Sequence, residues 1–325
     1  MPPTKRSPWS ILPTAALAAL VVFGSLAAAP LRIDAASPPL PACAYRDVLT
    51  PLRAYTQWQT SLLDTTYMLP STYAPGDLVS TSTAGLTAGH SVRQLVIADL
   101  KAMSTAAAVA KAPLAVQSAF RSYAQQASTF AYWVQVAGYS QALITSARAG
   151  HSEHQLGTGI DFRSLGGSAP WNYADWGTTP AGKWLAAYAW QYGFVMSYPK
   201  GAQALTCYAY EPWHYRYVGR VEAKQIHDSL LSSRQWLWRS GAAAAMVVTN
   251  TYSPAHKVLF AAGIYVGLKF DALGAVVASK KVTLATGSAA YASQRVTSYG
   301  APYVLMSTGA WAGYYIPLKW GVTLT

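Results

Sequence analysis

The stretch "SEHQLGTGIDF", residues 152–162, gathers Ser152, Glu153, His154 and Asp161 around a glycine-containing turn, in a chain with only 11% charged residues. A histidine and an aspartate seven residues apart suit a metal ion, or else an ordinary hydrogen-bonded turn. A third candidate ligand, His214, lies far along the chain in "EPWHYRYVG", residues 211–219. Two imidazoles and one carboxylate match zinc and leave a fourth position for a water that becomes a usable nucleophile near neutral pH. Glu211 stands three residues before His214 and is a candidate to take the proton from that water. Pro212 argues against a helix through this pair, and on a regular strand the two side chains would point to opposite faces. A bend at Pro212 must bring them together if both serve one site.

Working outward, "VRQLVIADLKAMSTAAAV" (92–109) has helical apolar spacing and neither proline nor glycine, which predicts a helix. "PLAVQSAF" (113–120) reads as a short buried strand. In "RSYAQQASTFAYW", which follows, Ser122 and Gln125 fit a capping box, placing Arg121 just before a helix N-terminus. A guanidinium there is a good seat for a carboxylate, because its charge and the helix dipole agree in sign. Thr179 and Pro180 open another helix, which ends at Gly193 and leads into a strand, "FVMSY". "YAYEPWHYRYVG" (208–219) alternates as a strand would, and "VEAKQIHDSLL" (221–231) reads as a helix. Strands and helices mixed without a βαβ repeat predict an α+β fold. After about Ser240 the runs "HKVLFAAGIYVGLKF", "AVVASKKVTLAT" and "YVLMSTGAWAGYYIPLKW" predict a small all-β module. Its Tyr265, Trp311, Tyr314 and Tyr315 are expected mostly as core, with stacking on sugars as the alternative.

The chain is 325 residues long, 52% hydrophobic, with a net charge of +12. That length suits about two domains, the composition excludes a disordered polymer, and the charge favours anionic partners. Lys5 and Arg6 precede an apolar stretch from Trp9 to Ala29, the layout of an export signal with cleavage after Ala27, or of a retained membrane anchor. Export makes nucleic acid an unnatural partner. Cys43 and Cys207 are then expected to pair in a disulfide, the alternative being two buried thiols. The expected organisation is a signal or anchor (1–27), a proline-rich linker (28–42), a catalytic domain (43–238), a second linker (239–256) and a β-rich module (257–325).

"SAFRSYAQQ", "GHSEHQLGTGIDF", "YGFVMSYP" and "EPWHYRYVG", in this order, resemble the motifs of the zinc D-alanyl-D-alanine carboxypeptidases of the VanY type. "MLPSTYAPGDLV" resembles the family's approach to the domain, and the likeness runs from about residue 57 to 238. The resemblance implies zinc (Zn2+) bound by His154, Asp161 and His214, Glu211 as general base, and Arg121 gripping the substrate's terminal carboxylate. It also implies a compact fold shared with the hedgehog signalling domain, in which a small antiparallel sheet with flanking helices carries the metal site. The expected activity is exported D,D-carboxypeptidase action on peptidoglycan stem peptides in an anionic wall. L,D-carboxypeptidase or endopeptidase action, and a non-catalytic wall-binding role, are the alternatives. Phe120 and Ala149 depart from the family's usual tyrosine and proline and bear on substrate choice.

Each assignment has a plainer alternative. His154, Asp161 and His214 would serve equally as hydrogen-bonded strand and turn residues, Glu211 as an ion-pair partner of Arg216 or Arg220, and Arg121 as a brace for the turn. Ser152 lacks the Gly-x-Ser-x-Gly elbow, since His154 occupies its last position, so it is expected to hydrogen-bond a metal ligand or the substrate. Trp213 is expected to pack the sheet. His90, His151, His227 and His256 are read as surface or packing residues.

Overall fold

The computed structural model describes residues 39–51, 55–272, 274, 276–298, 301–319 and 321–325, with the side chains of 242–246 left aside. The expected signal or anchor, and most of the first linker, lie outside the described residues. No helix among the described residues is long and apolar enough to cross a membrane.

Two short pairings open the chain. β1 (Val48–Leu49) lies parallel to β2 (Tyr67–Met68), and β3 (Leu78–Ser80) lies antiparallel to β4 (Ser91–Arg93). Helix α1 (Ile97–Val109) follows, then β5 (Leu114–Ser118), α2 (Tyr123–Ala137) and α3 (Tyr139–Thr145). β6 (Gly159–Ser164), α4 (Pro180–Tyr188), β7 (Phe194–Met196), α5 (Gln203–Thr206) and β8 (His214–Tyr217) complete the next stretch. β5, β6, β8 and β7 form a four-stranded antiparallel sheet in that order. One face packs on α1 and α4 through Leu100, Met103, Leu185, Phe162 and Phe194, all essentially inaccessible to solvent. The opposite face is the one that carries polar side chains.

The helix expected from Val92 starts at Ile97 instead. Val92 and Arg93 pair with Val79 and Leu78 in β4, and the Arg93 guanidinium is committed to Asp77 and the Tyr55 carbonyl. Sheet pairing and a buried ion pair override helical periodicity over these residues. The other end signals hold: Ser122 and Gln125 form a reciprocal capping box, and the Thr179 hydroxyl caps α4 with Pro180 in its first turn. Of the strand expected over 208–219 only His214–Tyr217 forms, because Glu211–Trp213 make a turn closed by the His214 amide on the Glu211 carbonyl at 3.1 Å.

Helices α6 (Arg220–Ser229) and α7 (Ser233–Ala245) close this part of the chain. Residues 239–256, expected as a linker, are the end of α7 and most of a long strand, β9 (Met246–Phe260). With β10 (Gly263–Phe270), β11 (Val276–Leu284), β12 (Ser288–Ser298), β13 (Ala301–Met306), β14 (Tyr315–Pro317) and β15 (Val322–Leu324), it builds a seven-stranded antiparallel sheet. Tyr265 and Trp311 fill its core beside Phe260 and Ile316, as expected, with Tyr314 half-buried at the margin and Tyr315 half-buried on β14. Trp311 lies flat over Gly267, where any Cβ would collide with the indole. The module touches the preceding part where the Tyr67 hydroxyl donates to Asp271 at 2.7 Å. Cys43 and Cys207 form the expected disulfide, closing 164 residues.

Candidate metal centre

The turn that opened the sequence reading is a 3-10 turn, Glu153–Leu156, with every side chain buried. Ser152 caps it by accepting from the His154 amide, so its hydroxyl serves a candidate ligand through the backbone. The turn ends at Gly157, whose φ of +75° is left-handed and costly for other residues. Gly159 answers a different need. A Cβ there would sit 3.0 Å from the Glu153 carbonyl carbon and the His154 nitrogen, so a side chain would push the turn off β6, which glycine lets run directly beneath it. The glycines between His154 and Asp161 therefore fold the histidine back over the strand that carries the aspartate.

On that strand Asp161 is the direct cross-strand partner of His214 on β8. Residues opposite each other in an antiparallel pair share a face, so register brings these two together. Nδ1 of His214 lies 2.9 Å from Asp161 Oδ1, and Nε2 of His154 lies 3.2 Å from Asp161 Oδ2. One ligand atom from each of the three residues falls within 4.8 Å of the others.

Each imidazole is held by its far nitrogen. His154 Nδ1 is 2.6 Å from the Ala119 carbonyl, which fixes the proton there and leaves Nε2 as the facing lone pair. His214 Nε2 is 3.0 Å from Glu153 Oε2, which in turn accepts from the Ser197 hydroxyl at 2.6 Å, while Arg216 Nη1 donates to Oε1 at 3.0 Å. Tyr198 stacks on the His214 ring at 5.0 Å. Carboxylate and carbonyl anchors behind ligating histidines are the usual support of a metal site, and this donor set fits a divalent ion such as zinc.

The charges follow from these contacts. Burial and the neighbouring Arg121 lower His154 to about 4, so it is neutral. Burial opposes charge on Asp161, but His154 and His214 outweigh it and hold the carboxyl well below the usual range. Burial likewise opposes charge on Glu153, but Arg216 and His214 bring it down to about 2. His214, between two carboxylates, is raised to about 10 despite its burial.

Glu211 and Arg121 line the same cleft, of about 540 Å3, as His154, Asp161 and His214. The turn at Pro212 places Glu211 on the side of the sheet that His214 faces. Glu211 forms no ion pair with Arg216, which is bound to Glu153, nor with Arg220, which is bound to Asp99. Burial, offset in part by His214, pushes its carboxyl up to about 8. Arg121 is braced by Gln126 and Ser118 and reaches 3.5 Å from Asp161, with its side chain still 22% exposed to the cleft. Trp213 both borders the core and lines the cleft. His151 is buried away from it, bonded to the Asp64 carbonyl and Asp47.

Glu153, Arg216 and Ser197 carry no site role in the sequence reading. Two signals were present. Glu153 adjoins His154, and Arg216 is two residues beyond His214, on the same face of a strand.

Residues 89–220 match the family model described as VanY: D-alanyl-D-alanine carboxypeptidase. YodJ of Bacillus subtilis (strain 168) is 37% identical over 180 residues, 54% of this chain and just under two thirds (66%) of that protein. The LdcB LD-carboxypeptidase structure is 33% identical with a TM-score of 0.49, the match covering 56% of this chain and 88% of LdcB. A vancomycin-resistance D,D-pentapeptidase VanY variant in complex with Zn(II) is 24% identical with a TM-score of 0.48, covering 55% of this chain and 99% of its own. The candidate metal cluster falls inside the matched span, and residues 89–220 form a domain of the VanY family of D-alanyl-D-alanine carboxypeptidases.

Proposed function

We propose that the chain is an exported zinc peptidase that removes the C-terminal residue of peptidoglycan stem peptides, with D-alanyl-D-alanine ends as the favoured substrate. The observation that carries this is the convergence of His154, Asp161 and His214 in one cleft with Glu211 and Arg121. Zinc held by the three ligands would polarise the scissile carbonyl and make water nucleophilic near neutral pH.

The chain's own groups divide the remaining work. Glu211 accepts a proton from the attacking water and delivers one to the departing amine, a role suited to a carboxyl whose affinity for protons is raised by burial. Arg121 binds the terminal carboxylate, which limits cleavage to one residue from the end. Glu153 keeps the His214 ring oriented. The wall's anionic polymers are the second partner: residues 246–325 hold six Lys and Arg against one acid, Asp271. The N-terminal apolar segment is the export signal or anchor that delivers the enzyme there.

The test is metal content together with release of free D-alanine from a stem pentapeptide and a stem tetrapeptide, before and after chelation. Chelator-sensitive release from the pentapeptide is expected. Release from the tetrapeptide alone would make the enzyme an L,D-carboxypeptidase. Glu211→Gln should cut turnover at least a hundredfold with zinc still bound, and wild-type turnover in that variant would overturn the role of Glu211.

A further inference from the structure

The cleft extends well past the candidate metal ligands, and its outer wall is aromatic. From Trp213, next to His214, the rings step edge-to-face to Trp171 at 6.2 Å, to Trp133 at 6.1 Å and to Tyr132 at 5.3 Å. Trp171 is 43% and Tyr132 56% exposed, so the row ends in open rings at the rim. Tyr132 and Trp133 belong to α2, in which only Gln126 is buried. The helix therefore contributes little to the core, and the aromatic residues it turns to the cleft pack on one another and on Trp171 rather than on the core.

The chemistry of this wall selects among ligands. Among the described residues Arg121 is the only Lys or Arg lining the cleft, so acidic groups find no counter-charge from them along the outer row. Flat rings flanked by neutral Thr129 and Gln141 suit a ligand with a C–H face and hydroxyl or amide edges, which describes a pyranose sugar. A stem of four residues spans at most about 14 Å, and ring-to-ring steps of 6.2, 6.1 and 5.3 Å starting beside His214 allow a reach of that order.

Resting on the stem-peptide reading above, we propose that Trp171, Trp133 and Tyr132 form a saccharide subsite that holds the sugar attached to the N-terminal end of the stem. The enzyme then reads its substrate at two points, the terminal carboxylate at Arg121 and the glycan at the rim. It prefers stems still joined to sugar over free peptides.

The experiment compares kcat/KM for a disaccharide-linked pentapeptide and the same free pentapeptide, alongside a tryptophan-fluorescence titration with N-acetylglucosamine trimer. Wild type should favour the linked substrate by roughly tenfold, the scale of one or two stacking contacts. In the Tyr132→Ala/Trp133→Ala double variant the two values should converge and the saturable fluorescence change should disappear, while Trp133→Phe keeps most of both. Equal wild-type values with no saturable fluorescence change would overturn the subsite. If neither peptide is cut, the peptidase reading fails by itself and the titration alone decides the subsite.

Discussion

A carboxylate buried between a guanidinium and an imidazole is stable only while both partners remain. Glu153 is in that position, and removing it by Glu153→Ala would leave Arg216 buried without its counter-ion, a loss of about 3–5 kcal/mol in denaturant unfolding. The milder Glu153→Gln should retain the fold and weaken zinc binding ten- to a hundredfold, because His214 loses the anchor of its far nitrogen. Calorimetric titration with zinc checks this, and an unchanged affinity would remove Glu153 from the support of the site. Gly159→Ala tests the close approach of turn and strand: its methyl would press on the backbone of Glu153 and His154. A stability loss of about 1–3 kcal/mol is expected from such overpacking, with metal affinity falling in step.

At the scale of elements, the starts of α2 and α4 were legible because capping chemistry is local. Ser122→Ala should cost about 1 kcal/mol, read as a lower thermal midpoint, since it removes one arm of the capping box on α2. A variant as stable as wild type would mean that neighbouring contacts, rather than the cap, fix that helix start. His154, Asp161, His214, Glu211 and Arg121 were singled out through motif order, and the structure gathers all of them in one cleft. What escaped depends on distant contacts. Residues 92–96 look helical on their own, and only the pairing with β3 and the reach of Arg93 to Asp77 draw the first of them into a strand. Glu153 carries no assigned role in the sequence, because Arg216, its partner, lies 63 residues later. The extended reading of 208–219 held only for His214–Tyr217, because the bend that Pro212 signals is a turn over Glu211–Trp213 that starts the strand late.

Across the whole molecule, the Cys43–Cys207 bridge and the three bonds of Arg234 to Asp64, Leu205 and Pro41 tie the start of the described chain to its middle. Replacing both cysteines by serine should lower stability by about 2–5 kcal/mol, the range for loss of a natural disulfide from a small domain. Thermal unfolding with and without reductant would measure it. The cations of the β module make a second molecular-scale prediction. Lys280 and Lys281 are exposed on β11, and reversing both to glutamate should weaken retention on a phosphodiester polymer and flatten its dependence on salt. Undiminished retention would move the anionic contact elsewhere. The pairing of Asp161 with His214 across β6 and β8 has one more consequence. Side chains alternate along a strand, so a slip of β8 by a single residue would turn His214 and Arg216 to the wrong side together. The His154, Asp161 and His214 cluster thus acts as a parity check on the sheet, since it assembles only in molecules that folded in the correct frame.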